Sequence, residues 1–309
     1  MWVRAFGRAV AASAMAAVLV TACSGSPTAK GPTSAGGGTK TVKPDAKYTE
    51  STLPIQLRSF ATAVAPNGDL YLSTQEGLQS LPSGAGEPHV VVPDLPVGFG
   101  LVATETRVIL GSANTLKVVD LKTKVSSDVQ VNDLEEIRGI ALDREDNVYI
   151  VGTVTGDNGF PTGRVVKLNH DLSAPTILPF PGGPGYADIG VGPDGAVYVV
   201  NAVMNEATVL HPGDPEPSNL TLSGANGPVR LGFTPSGDML VIDNDDPGHS
   251  STSAQPMRLL RYPSGSTSPI QLASYKTDAY FAGGDAAGNV YYSAADGDNV
   301  RMLKLGPQP

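Results

Sequence analysis

Cysteine is nearly missing from this chain. Cys23 is the one thiol in 309 residues, so no internal disulfide can form and the fold must rest on packing alone. Aromatic residues are scarce at 6%, and the one tryptophan, Trp2, sits close to the N-terminus. The apolar run at residues 9–20 is too short for the roughly 20 residues that a bilayer-crossing helix requires. Basic charge is also in deficit. The formal charge is −9, and removing residues 1–22, which hold Arg4 and Arg8 and no acid, takes it to −11. An acidic body of this kind repels nucleic acid and anionic headgroups. A nucleophile elbow of the form G-x-S-x-G is missing as well, which argues against Ser-His-Asp hydrolysis.

What the chain does have is 36 glycines, 26 prolines and 40% hydrophobic residues. That balance predicts many short strands joined by tight turns around a real core, an all-β protein.

The N-terminus reads as a processing and anchoring signal. Arg4 and Arg8 form a positive start, residues 9–20 an Ala/Val-rich apolar stretch, and Thr21 and Ala22 put small side chains before Cys23. Leu19-Val20-Thr21-Ala22-Cys23 resembles a bacterial lipobox, in which the thiol takes the lipid. This predicts a signal peptide over 1–22 and a lipidated Cys23 carrying acyl chains such as palmitate. Buried acyl chains contribute about 0.8 kcal/mol per CH₂, so two or three hold a protein stably on a membrane. Residues 24–50 are rich in Gly, Ser, Thr, Pro and Lys and read as a flexible tether with an r.m.s. reach of roughly 30 Å. The expected location is the extracytoplasmic side of the cell membrane.

Residues 51–309 read as one repeating domain. An apolar strand, a Gly, Asn or Asp turn and a strand of the form V-Y-x-x recur, with turn residues at Gly68, Thr106, Asp146, Gly195, Gly237 and Gly288. A third strand follows in several copies (116–121, 164–168, 257–262, 300–305). A fourth follows in most (90–92, 125–131, 175–180, 219–222, 269–273). Four short strands per copy, six times over, predict a six-bladed β-propeller. The sixth copy supplies only three strands before Pro309. Pro54-Ile55-Gln56-Leu57 repeats Pro269-Ile270-Gln271-Leu272, the fourth strand of blade five. The N-terminal segment is therefore expected to complete blade six and close the ring.

These copies resemble NHL-type propeller repeats, G-[IV]-A-[VL]-D-x-x-G-[ND]-V-Y-V followed by R-V-x-x-[LF]. Residues 139–150 with 164–168 and 285–292 with 300–305 fit best, and the resemblance covers 53–305. It implies the architecture and little about activity. Such domains occur in bacterial lipoproteins and as extracellular sensors of mycobacterial receptor kinases. A WD40 propeller is disfavoured, because Trp2 lies in the signal segment.

In a propeller, fourth-to-first and second-to-third loops share one face, and the tether should enter on the other. Two long second-to-third connections, 155–162 and 244–256, stand on the shared face, where long loops on a rigid scaffold tend to bind. Aligning the copies also places Ala61, Phe99, Gly139, Asp188, Arg230 and Phe281 around the channel mouth, with Arg138 adjacent. Phe99, Arg138, Asp188, Arg230 and Phe281 would suit a small polar ligand or a peptide side chain. Alternatively, Asp188 pairs with Arg138 or Arg230 and plugs the channel.

The resemblance extends loosely to six-bladed lactonases that hold a divalent cation through Glu, Asn and Asp. Asn201 and Asp243 end their second strands and are weak metal candidates, but no acidic ligand from blade one accompanies them. Asp243-Asn244-Asp245-Asp246 lacks the spacing of an EF-hand, so calcium is only a minor possibility. His89, His170, His211 and His249 fall outside the first and second strands, which disfavours a His-acid lyase. The expectation is a monomeric binding or scaffold module with no resident cofactor and a protein, glycan or small-molecule ligand. The alternative is a metal-dependent lactonase-like hydrolase.

Overall fold

The computed structural model describes residues 48–57, 61–204, 206–245, 257–275, 279–296 and 299–307. Cys23 and the expected signal peptide lie outside them. The described residues form six antiparallel sheets of four strands, a six-bladed β-propeller, with no helix among them. The first strands of the six blades are Ala61–Val64, Gly100–Ala103, Glu136–Leu142, Tyr186–Val191, Pro228–Phe233 and Ala279–Gly284. Each lies beside the first strand of the next blade, and the sixth returns to the first, so they form an inner ring around a channel.

The repeat seen in the sequence is a turn with its own hydrogen bonding. In blade 3, one Asp143 carboxylate oxygen accepts the amides of Glu145 and Asn147 at 3.0 and 2.9 Å. The other accepts Asn147 Nδ2 and the Tyr149 hydroxyl at 2.8 and 3.1 Å. Blade 6 repeats this with Asp285, the amides of Ala287 and Asn289, and the Tyr291 hydroxyl. The turn needs one left-handed residue. Gly68, Gly195, Gly237 and Gly288 take φ of 80–92°, and Asp146 takes 59° in their place. Blade 2 is the degenerate copy because its turn is shorter: Thr104 N–H bonds to Arg107 C=O at 2.9 Å.

The core lies between blades. Ile109 and Leu116 of blade 2 pack on Ile137, Ile150 and Val166 of blade 3. Tyr149, Val151 and Val165 of blade 3 pack on Ile189 and Val199 of blade 4. Each fully buried Leu, Ile or Val contributes roughly 1.5–3 kcal/mol. Clusters of this kind recur at every blade junction, including Leu70, Leu72 and Leu81 of blade 1 against Tyr291 and Met302 of blade 6.

The expected closure is present. Tyr48–Leu57 pairs antiparallel with Asn299–Pro307 as the fourth strand of blade 6, with Gln56 opposite Arg301 and Leu57 opposite Val300. It begins at Tyr48, three residues before the boundary at 51 read from the sequence. Tyr48–Thr52 is polar and has no alternation to reveal it. Long-range contacts hold it instead. Glu50 accepts the hydroxyl of buried Tyr292, and Tyr48 meets the Arg261 guanidinium through its hydroxyl and its ring face, 5.0 Å away. The strand runs from Tyr48 toward the start of blade 1, so Tyr48 lies on the face opposite the channel mouth.

Of the two long connections, 155–162 is not a loop. The second and third strands of blade 3 extend to pair Thr155 with Pro161, and a tight turn through Gly156 and Gly159 leaves Phe160 exposed at its tip. In the other, 244–256, residues 246–256 lie outside the described residues.

Candidate functional site at the channel mouth

Strand register fixes which residues form the mouth ring. Ala61 pairs with Ser73, Gly100 with Gly111, Gly139 with Val151, Asp188 with Val200, Arg230 with Ile242 and Phe281 with Ser293. These are equivalent positions, so the ring residue of blade 2 is Gly100 and not Phe99. Phe99 stands one residue earlier, in line with Arg138, its amide bonded to Gly111 C=O at 3.1 Å. In blades 3 to 6 the register shifts just before the ring residue, and such bulges are invisible to alignment by eye.

Four of the five expected mouth residues, Phe99, Arg138, Asp188 and Arg230, line one cavity of about 280 Å³. The fifth, Phe281, is on the inner strand, but its side chain is outside the description. The sequence reading missed Phe233, Ser293 and the inner-strand backbone, which also line the cavity. The V-Y-x-x pattern could have pointed to Ser293, three residues after Val290.

The ring is lopsided. Blades 1 to 3 contribute Ala61, Gly100 and Gly139, almost without side chains, whereas blades 4 and 5 contribute Asp188 and Arg230. Phe99, 56% exposed, and Arg138 stand at the mouth. The bareness of Gly139 has a use: a Cβ there would come within 2.8 Å of Asp188 Oδ1.

Asp188 is fixed by backbone. Oδ1 accepts its neighbour Ile189 N–H at 3.0 Å, and Oδ2 reaches the next blade to accept Leu231 N–H at 3.1 Å. Asp188 is half-buried, lining the channel cavity with protein packed around its carboxyl. Loss of hydration pushes its pKa up to about 6, against the pull of Arg230 and the two amides. The expected plug does not form. Arg138 pairs with Glu136 at 2.6 Å, and Arg230 Nη1 donates to Val229 C=O at 2.8 Å. Among the described residues no ion pair joins Asp188 to either arginine.

The weak metal candidates sit elsewhere and do not fit a cation. Neither Asn201 nor Asp243 lines the cavity. Asn201 Oδ1 accepts the amides of Val203 and Met204 at 3.1 and 3.0 Å, and its Nδ2 donates to Pro184 C=O. Asp243 is fully buried. Its Oδ1 accepts the amides of Asn226 and Gly227 at 2.8 Å, and its Oδ2 accepts Arg258 Nη2 and Nε. Arg258 also pairs with Asp245 at 2.9 Å and donates to Gly224 C=O. These carboxylates bind loop 224–227 to blade 5. No group of three or more His, Cys, Asp or Glu side chains converges among the described residues.

The site and its ring define a β-propeller with a small, charged channel cavity. No family model matches the sequence, and no curated protein matches it either. Solved structures do resemble it. A gluconolactonase from Xanthomonas campestris aligns with a TM-score of 0.60 at 12% identity, over 84% of this chain and 90% of that one. A streptogramin B lyase aligns at 0.55 and 14% identity, over 84% and 97%. A chain of the nidogen/laminin complex aligns at 0.55 and 13% identity, over 73% and 83%. These are two enzymes and a member of a protein complex, so the likeness establishes the fold and leaves the activity open.

Proposed function

We propose that the chain is an extracytoplasmic lipoprotein, anchored to the cell membrane through Cys23, whose NHL-like propeller binds a ligand at the channel mouth. The observation that carries the binding reading is the cavity itself. Asp188 and Arg230 line it, are fixed by backbone hydrogen bonds and are not paired with each other. Charged groups held ready in a concave, partly dry site are what recognition of a small polar molecule requires. The propeller acts as a monomer and holds no resident metal. A lactonase-like mechanism would need oxygen ligands free to converge, and Asn201 and Asp243 are committed to loops and to Arg258.

Two measurements test this reading. Mass spectrometry of the full chain made in a bacterial host is expected to find an acylated Cys23, lost in Cys23→Ser; an unmodified thiol would contradict the anchor. A small-molecule extract of the cell envelope is expected to raise the melting temperature of the wild type and not of Arg230→Gln. Lactone hydrolysis that requires a divalent cation and stops on chelation would replace the binding reading with the hydrolase one.

A further inference from the structure

We infer that the channel takes a small zwitterion, with the ligand's ammonium against Asp188 and its carboxylate against Arg230. This rests on the binding reading and names the ligand class for it. Opposite charges on adjacent blades would ordinarily close on each other, since a pair at 4 Å gains several kcal/mol at the effective dielectric of a protein site. Here no hydrogen bond or ion pair joins the two side chains, and Arg230 acts on Asp188 only through space. Asp188 is held by Ile189 N–H and Leu231 N–H, and Arg230 is turned to the carbonyl of Val229. A carboxylate that accepts one amide at each oxygen has lone pairs left for an ammonium. A guanidinium with one N–H on a carbonyl has donors left for a carboxylate fork. The rest of the cavity completes the fit. Arg138, also at the mouth, is already paired with Glu136 at 2.6 Å, which weakens its pull on the carboxylate. The ring positions on the blades opposite the charges, Ala61 and Gly100, put no long side chain into the cavity, and the exposed ring of Phe99 offers an apolar surface to the ligand's body. A volume near 280 Å³, at the small end for ligand pockets, suits a short body between the two charges.

The test uses the full chain and a length series of ω-amino carboxylates: glycine, β-alanine, 4-aminobutyrate and 6-aminohexanoate. Butylamine, butyrate and a neutral polyol serve as controls, with affinities read by calorimetry. The expected result is an optimum length in the series, bound at least 10-fold more tightly than either single-charge control. Asp188→Asn should lower that ligand to the affinity of butyrate, and Arg230→Gln to the affinity of butylamine. Melting curves of both variants establish that they are folded. Equal affinity for zwitterion and single-charge controls, no binding of any member, or an optimum unchanged in both variants would overturn the inference. Tight binding of the polyol that weakens in Arg230→Gln would also overturn it, while leaving the channel as a binding site.

Discussion

Two acid–arginine neighbours stand in the same propeller and behave in opposite ways. Asp243 and Arg258 face each other across a strand pair, fully buried, and close into an ion pair with every carboxylate oxygen satisfied. Asp188 and Arg230 sit on adjacent blades at the channel and stay apart, each held by backbone. The difference lies in what surrounds them. Asp243 has no solvent to turn to and a register that delivers Arg258. Asp188 has an open cavity beside it and an amide from the next blade that takes the place of the guanidinium. A closed pair fixes a loop; an open pair leaves two charges for a ligand.

Breaking the closed pair should have the largest effect. Asp243→Ala removes the buried carboxylate that takes two Arg258 donors, leaving that guanidinium to Asp245 and Gly224 C=O, and frees the amides of Asn226 and Gly227. The expected loss is about 3–5 kcal/mol, seen in thermal unfolding as a drop on the order of 10 °C. Asp188→Asn at pH 7 should cost less than about 1 kcal/mol, since Asp188 has no ion pair to lose. Next in size is a pH effect that belongs to Asp188. Its folded pKa, about 6, lies above the unfolded value of 3.8, so the folded state binds the proton more tightly. Stability from this group is full below about pH 4 and falls as pH rises to about 6, by up to about 3 kcal/mol. Denaturant midpoints across that window should decline less in Asp188→Asn than in the wild type. Gly139→Ala should cost about 1–3 kcal/mol by driving a methyl toward Asp188 Oδ1, and it should weaken ligand binding alongside. Smaller than the Asp243 and pH effects is that of Tyr292→Phe, which removes the hydroxyl donated to Glu50. It is expected to cost about 1–2 kcal/mol and to expose the N-terminal strand to limited proteolysis before the blades.

The blades were readable in the sequence because their turns are chemically specific. Asp143, Asn147 and Tyr149 occupy fixed offsets because one carboxylate binds all three, and the same offsets recur at Asp285. Closure was readable because Pro54-Ile55-Gln56-Leu57 repeats a fourth strand. The start of that strand was not, since Tyr48 and Glu50 are placed by Arg261 and Tyr292, more than 200 residues away. Asp188 and Arg230 were legible as charges in an otherwise apolar inner strand. Phe99 was set one residue out, because Gly100 has no side chain to mark the ring position. The partner of Asp243 was hidden for a related reason. Arg258 follows a connection whose length does not announce its register, so an acid that looked available for a metal is taken.

The contrast between the closed and the open pair can be measured directly with two double-mutant cycles of unfolding free energy. One uses Asp243→Asn with Arg258→Gln, the other Asp188→Asn with Arg230→Gln, both without ligand at pH 7. The expected coupling is about 2 kcal/mol or more for the first and about 1 kcal/mol or less for the second, where Arg230 acts on Asp188 only through space. A coupling between Asp188 and Arg230 as large as that of the buried pair would mean that the channel charges close on each other in solution, and the ligand site described above would not exist.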